Sequence, residues 1–399
     1  MKPIIAKVMM LATVILMDIL SGVEFDLFVP SFPELQKQFG LSPFWVEALL
    51  SVNFVGYCLG LLFVGSLADC YGRKPVILMG LLTFVIGSAL CLGGDSYLMI
   101  LTGRFFQGIG VAAPAILSFL LIADAYSLKK QQAVLAMLMA VSNISIAVAP
   151  VVGSYVTLHF HWQGNFMTLF FLGVISLAMA ALFVPNHKLP EPKKISLLRG
   201  YLAVFQSKPL MLLIVNIIFI IVPYWVFVGI SPLLYMDELG VSLAHFGYYQ
   251  GTLAFVFAIG CVIYGCVIEK YDQKKMLWLS NGLFVLGVIS VGVVTFLDGR
   301  YPLLITLALL PFIIGQIIPG TLLYPASLHF IPEAKGRVTA IIHGGRLMLS
   351  AVGLQLVGYF YAGSFQNVGI ILLIFMIGAV ITLFCVLRHA TLMRFDKTD

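Results

Sequence analysis

The chain alternates long apolar runs with short polar turns along almost its whole length. The runs lie near 5–29, 44–68, 75–94, 98–123, 133–157, 166–184, 209–232, 246–268, 276–297, 302–325, 337–361 and 366–387. Each holds about 20 residues, and a helix of that length crosses roughly 30 Å of hydrocarbon. The strict alternation over about ten residues that marks a membrane β-barrel strand is not the pattern here. The sequence therefore predicts an all-α membrane protein with twelve transmembrane helices. The longest polar segment runs from Pro185 to Lys208, and its prolines and charges cannot lie in lipid. It divides the chain into an N-terminal bundle (1–184), a cytoplasmic linker (185–208) and a C-terminal bundle (209–399). Within the linker, Ile195–Gln206 is expected to form a short amphipathic helix on the membrane surface.

The halves repeat. Gly40 and Ser42 recur as Gly240 and Ser242, and the turn Gly65–Lys74 is echoed by Gly265, Glu269, Tyr271, Lys274 and Lys275 at about the same offset. A membrane protein duplicated in register is most simply two pseudo-symmetric six-helix bundles, and transporters place substrate between such repeats.

Composition agrees with this. The chain is 61% hydrophobic and 10% charged, whereas a soluble domain carries about a quarter charged residues. Its net charge of +6 could suggest an acidic partner, but the distribution assigns it to topology. Lys and Arg crowd alternate loops at Arg73/Lys74, Lys129/Lys130, Lys188–Lys208, Lys270–Lys275, Lys335/Arg337 and the tail Arg388/Arg394/Lys397. The intervening loops carry little beyond Lys37 and Arg300. The positive-inside rule then places both termini in the cytoplasm of a multi-pass inner-membrane protein, and nucleic acid is a poor partner. The first apolar run is too long for a cleaved signal peptide and is read as a retained helix.

The six cysteines lie in or beside apolar runs without CxxC or Cys/His spacing, so neither a metal site nor a disulfide is indicated. No GxxxxGK[ST], Gly-x-Ser-x-Gly or HExxH motif occurs. The expectation is a non-enzyme without cofactor, driven by an ion or solute gradient, monomeric, with the bilayer, protons and a small-molecule substrate as its partners.

Four segments together resemble the major facilitator superfamily. Gly65-Ser-Leu-Ala-Asp69-Cys-Tyr-Gly72-Arg73-Lys74 is similar to its loop motif between helices two and three. Arg104-Phe-Phe-Gln107-Gly108-Ile-Gly110 is similar to its helix-four motif. Ala149-Pro150-Val-Val-Gly153 resembles the antiporter motif of helix five, with Ala where the family more often has Gly. Asp26-Leu-Phe-Val-Pro30-Ser-Phe-Pro33 is similar to the end of helix one in the bicyclomycin/chloramphenicol-resistance branch of drug:proton antiporters. The resemblance implies a central cavity exposed to each side in turn, with Gly65, Asp69, Gly72, Arg73, Lys74, Pro150 and Gly153 as gating residues. Physically, Gly65 and Gly72 would permit close approach and a tight turn, and Arg73 and Lys74 could pair with carboxylates or lipid headgroups or simply fix topology. Pro150 and Gly153 suit either close helix packing or a bend.

Charge at membrane depth costs a few kcal/mol or more, which makes such residues functional candidates. Asp18 sits mid-way along helix one, Glu24 and Asp26 near its end, Arg104 inside helix four and Arg346 inside helix eleven. The resemblance implies that the helix-one acids and Arg104 handle protons, with Asp18 the first candidate for proton and cation exchange. Asp26 is expected to pair with Arg104, either as a responsive couple or as a static one. Glu24, about 160° away around the helix, is expected to face the headgroups. Candidate cavity-lining residues are Asn53, Tyr57, Gln107, Asn143, Tyr224, Trp225, His343 and Arg346. Proton-coupled export of small amphipathic compounds, antibiotics included, is the leading function. Because Arg346 could hold an anion, transport of a carboxylate-bearing metabolite or siderophore stays open, as does a non-transporting receptor on the same fold.

Overall fold

The computed structural model describes residues 3–126, 128–186, 201–267, 271–297, 299–331, 335–389 and 392. Its helices are α1 (Pro3–Asp26), α2 (Phe32–Phe39), α3 (Pro43–Tyr71), α4 (Arg73–Leu92), α5 (Tyr97–Ala125), α6 (Leu128–Phe183), α7 (Tyr201–Gln206) and α8 (Lys208–Phe219). They continue as α9 (Val222–Pro232), α10 (Leu243–Val267), α11 (Gln273–Phe296), α12 (Pro302–Gly315), α13 (Ile317–His329), α14 (Lys335–Phe360) and α15 (Phe365–Arg388). Among the described residues there is no strand.

Eleven stretches of the described chain are long and apolar enough to cross a membrane. One of them, Met137–Phe183, has 47 residues, about twice the length a bilayer needs. It contains the single non-helical residue of α6, His161 (φ 58°, ψ −171°), where the chain breaks into two arms. The two arms account for the twelve passes read from the hydropathy pattern. The expected connection near 158–165 is thus compressed into one residue, and an imidazole stands where glycine is the usual occupant. Glu34 of α2 braces this break: its Oε1 meets His161 Nδ1 at 2.8 Å and its Oε2 accepts from Trp162 N at 2.9 Å.

Two other passes are interrupted, each four residues before a proline. α8 ends at Phe219, four before Pro223, and α12 ends at Gly315, four before Pro319. A proline ring clashes with the carbonyl four residues back and removes its donor, so the helix stops there. In the seventh pass the break falls at Ile220–Ile221, and Pro223 lies in the first turn of the next segment, which begins at Val222. Of the expected surface helix 195–206, the part Tyr201–Gln206 is helical and the remainder lies outside the described residues.

The chain forms two compact units, Met1–Leu197 with Ser242–Gly251, and Leu198–Val241 with Thr252–Asp399. The paired repeats carry the same local structure in each half. Gly40 (φ 62°) and Gly240 (φ 69°) both take the left-handed conformation that ends a helix. Ser42 O then accepts from Val46 N at 3.2 Å, and Ser242 O from Phe246 N at 3.0 Å, each starting the next helix.

In the first unit, α4 and α5 touch through small residues. A Cβ placed on Gly87 would sit 2.7 Å from both Gln107 N and Gly103 O. A Cβ on Gly108 would lie 2.8 Å from Tyr57 N, so α3 and α5 are equally close. These approaches set α5 deep among its neighbours and bring its polar residues within reach of α1, α3 and α4.

Candidate functional site

Arg104 of α5 is fully buried, and Glu24 of α1 meets it: Nη1 to Oε1 is 2.9 Å, with neither side chain exposed to any degree. The same Nη1 donates to Gln107 Oε1 at 2.6 Å, and Arg104 Nε reaches Leu49 O on α3 at 3.3 Å. Asn53, one turn further along α3, donates to Glu24 Oε1 at 2.6 Å and to Arg104 O at 2.9 Å. Gln107 extends the chain to Ser88 of α4 at 2.8 Å. The Phe28 ring faces the guanidinium at 4.0 Å, so the cation is held by charge, hydrogen bonds and a π face together. The network ties four helices to one charge pair. It is incomplete, since Glu24 Oε2, Arg104 Nη2 and Asn53 Oδ1 have no hydrogen-bond partner among the described residues. Donors and acceptors left unmet beside a buried ion pair are costly in so apolar a setting.

This corrects two expectations. Arg104 pairs with Glu24, not Asp26, and Glu24 is buried inside the unit instead of facing headgroups. The reason is rotational. The two acids project nearly opposite ways from α1, and the packing of α1 turns the Glu24 side toward α5. Asp26, equally buried, accepts from Gln250 Nε2 at 3.1 Å, and its Oδ2 has no hydrogen-bond partner among the described residues. Gln250 lies in the Ser242–Gly251 segment that belongs to the first unit. That segment is seated against α6: a Cβ on Gly247 would lie 2.7 Å from Pro150 O. Gly153, one turn on from Pro150, leaves no space for a side chain against the Leu27 carbonyl. Gly153 thus lies in close contact with the chain at the end of α1, and the Pro150 carbonyl with Gly247.

Asp18 stands apart from the ion pair, 4% exposed and accepting from Ser142 Oγ of α6 at 2.6 Å. Of the expected cavity residues, Asn53 and Gln107 are fully buried in the Glu24–Arg104 network. Tyr57 and Asn143 are half-buried, and Tyr57 lies beside Phe25 with ring centroids 5.7 Å apart. In the second unit, Tyr224 and Trp225 pack edge to face at 5.3 Å. His343 lies 3.4 Å from the Tyr324 hydroxyl, and Arg346 is half-buried on the same helix.

The turn between α3 and α4 is built from its sequence motif only in part. Gly72 takes φ 89°, a conformation that requires glycine. Gly65, expected to allow close approach, has nothing within 4 Å of an added Cβ. Arg73 pairs with the Asp124 carboxylate and the Leu120 carbonyl, and Lys74 donates to Ala181 O at 2.7 Å. The two cations thus staple α4 to the ends of α5 and α6 within one unit. The Asp69 side chain lies outside the described residues. In the second copy of the motif, Asp272 accepts from Lys275 N at 2.8 Å and caps α11, which explains an acid where the first copy has glycine.

Four buried or half-buried polar residues escaped the sequence reading: Ser88, Ser142 and Gln250, which make these contacts, and Glu47, fully buried on α3. The first three are single neutral polar residues in apolar runs, with no periodic signal. Glu47 is a full charge near the start of α3 and was detectable by the same rule that selected Asp18. A groove of about 400 Å³ lined by Leu59, Phe63, Leu67, Val76, Met79 and Ala113 is apolar, and none of these groups lines it.

The family model described as Major Facilitator Superfamily matches residues 14–354. The chain belongs to the Major Facilitator Superfamily. It is accordingly a multi-pass membrane transporter and not an enzyme. "Multidrug resistance protein MdtL" of Shewanella oneidensis is 28% identical over 269 residues, covering 65% of this chain and 66% of that relative, just under two thirds of its length. "Bicyclomycin resistance protein homolog" of Haemophilus influenzae is 26% identical over 336 residues, covering 82% and 83%. Among solved structures, a bacterial homologue of the human lysosomal transporter Spinster superposes with TM-score 0.80 over 100% of both chains at 14% identity. A D-xylose–proton symporter superposes with TM-score 0.74 over 95% of this chain and 97% of that one, also at 14% identity. At such identity these two establish the fold alone.

Proposed function

We propose that this transporter exports small amphipathic compounds, antibiotics among them, in exchange for protons. The observation that carries the reading is the set of buried acids on α1, one of which is paired with the fully buried Arg104. Glu24 is neutralised by Arg104, while Asp18 and Asp26 are each met by a single neutral hydrogen-bond donor. A carboxyl so placed gains by taking up either a proton or a cationic group, and competition between the two is the minimal chemistry of exchange. The names of the MdtL and bicyclomycin-resistance relatives support an exported drug as the cargo.

In this reading Asp18 is the exchange site, Asp26 and the Glu24–Arg104 pair respond to it, and halves 1–184 and 209–399 rock about a central cavity, joined by the linker 185–208. Tyr57, Asn143, Tyr224, Trp225, His343 and Arg346 would contact the cargo. The protein would work as a monomer in the inner membrane with both termini cytoplasmic. Proteoliposomes with an imposed pH difference, offered bicyclomycin and a lipophilic cationic dye, test the proposal. Asp18→Asn should abolish gradient-driven movement while leaving thermal unfolding unchanged, and undiminished transport would refute the assignment. If carboxylate ligands move instead of the dye, and Arg346→Ala stops them, the cargo is an anionic metabolite.

A further inference from the structure

Glu47 lies on α3, one turn inside the helix, and is fully buried. Neither of its carboxylate oxygens has a hydrogen-bond partner among the described residues. The other buried acids differ. Glu24 has Arg104 and Asn53, Asp18 has Ser142, and Asp26 has Gln250. The titratable and charged groups described on the elements around this part of α3 contact other residues, lie at the surface or stand at its far end. Tyr97 of α5 donates to Trp45 O at 2.6 Å, and Arg104 of α5 is directed to Leu49 O, Glu24 and Gln107. On α2, Glu34 is taken by His161 and Trp162 N, and Lys37 is exposed. Arg73 and Lys74 of α4 stand at the opposite end of α3.

A carboxylate without a partner in such surroundings is strongly disfavoured, and a proton is the smallest counter-charge that removes the penalty. Apolar side chains would fill the position without that penalty, yet the chain carries an ionisable one. It lies six residues from Asn53, on the helix that holds the Glu24–Arg104 pair.

We infer that Glu47 is a further proton-binding site of the transporter, separate from the acids of α1, which holds its proton while buried and yields it when water reaches α3. Only an O–H bond is exchanged: the proton leaves the carboxylic acid for a water molecule and returns from one. The inference rests on the proton-coupled reading above.

Infrared spectroscopy of the whole protein in lipid, in H2O and D2O, tests it together with indicator-dye measurement of protons released on adding bicyclomycin. Wild type should show a protonated-carboxyl stretch that shifts on deuteration. Glu47→Gln should remove that component and lower the protons released per bicyclomycin bound. Glu47→Asp, which keeps the chemistry, should restore both. A spectrum unchanged by Glu47→Gln overturns the inference, and so does a release equal to wild type. No release from wild type overturns the coupling reading and, with it, the exchange at Glu47. Release from wild type that Glu47→Gln matches overturns only the role of Glu47.

Discussion

The Glu24–Arg104 pair offers the sharpest quantitative test, because both side chains are completely buried and the contacts around them are few. Removing one member of a buried pair costs about 3–5 kcal/mol, mainly because the other charge is left uncompensated. Glu24→Gln keeps an oxygen that accepts from Asn53 and Arg104. The guanidinium also retains Gln107, Leu49 O and the Phe28 ring. The loss should therefore fall near the lower end, about 3 kcal/mol. Arg104→Leu removes all of those contacts and leaves Glu24 with Asn53 alone, so about 4–5 kcal/mol is expected. In the double variant no charge remains buried, and its loss should be about 3–4 kcal/mol instead of the sum of the singles. Equilibrium unfolding in mixed micelles with increasing SDS, run on all four proteins, measures the cycle. A coupling of about 4 kcal/mol is expected, and singles that add within about 0.5 kcal/mol would refute the pairing. If Asp26 were the true partner, the coupling would appear in the Asp26–Arg104 cycle.

Two further outcomes follow from particular contacts. Gln250→Leu removes the hydrogen bond to Asp26 recorded at 3.1 Å and should destabilise the protein by about 1–2 kcal/mol. The same change in an Asp26→Leu background should cost under about 0.5 kcal/mol, and an equal loss in both backgrounds would contradict the contact. His161→Gly should relieve a positive-φ conformation worth about 1–2 kcal/mol. It gives up only a surface contact between an imidazole 76% exposed and Glu34, so a net rise in thermal stability is expected, and a fall would show the brace to matter more than the strain.

How much of this was legible beforehand differs from feature to feature. Twelve passes, the all-helical class and the superfamily motifs could be read directly, because hydropathy over about 20 residues and short glycine-rich turns are local properties. The repeated Gly40/Ser42 and Gly240/Ser242 pairs were legible for the same reason, and each marks a helix end and the next helix start. The reversal at His161 was not, since no residue type there announces a positive φ and the support comes from Glu34 of a different helix. The partner of Arg104 was not either. Spacing along α1 shows that Glu24 and Asp26 point to different sides, but not which side meets α5. That depends on the rotation of α1, set by the Gly153–Leu27 approach and the Phe28 ring over the guanidinium. Glu47 was visible as a charge; that it is buried without a partner is a property of its neighbours. Sequence alone determined what must lie in lipid and which charges would be costly there, because those follow from each residue's own chemistry. Which of those charges compensate one another was decided only by tertiary packing, because compensation acts across a few ångströms between helices distant in the chain.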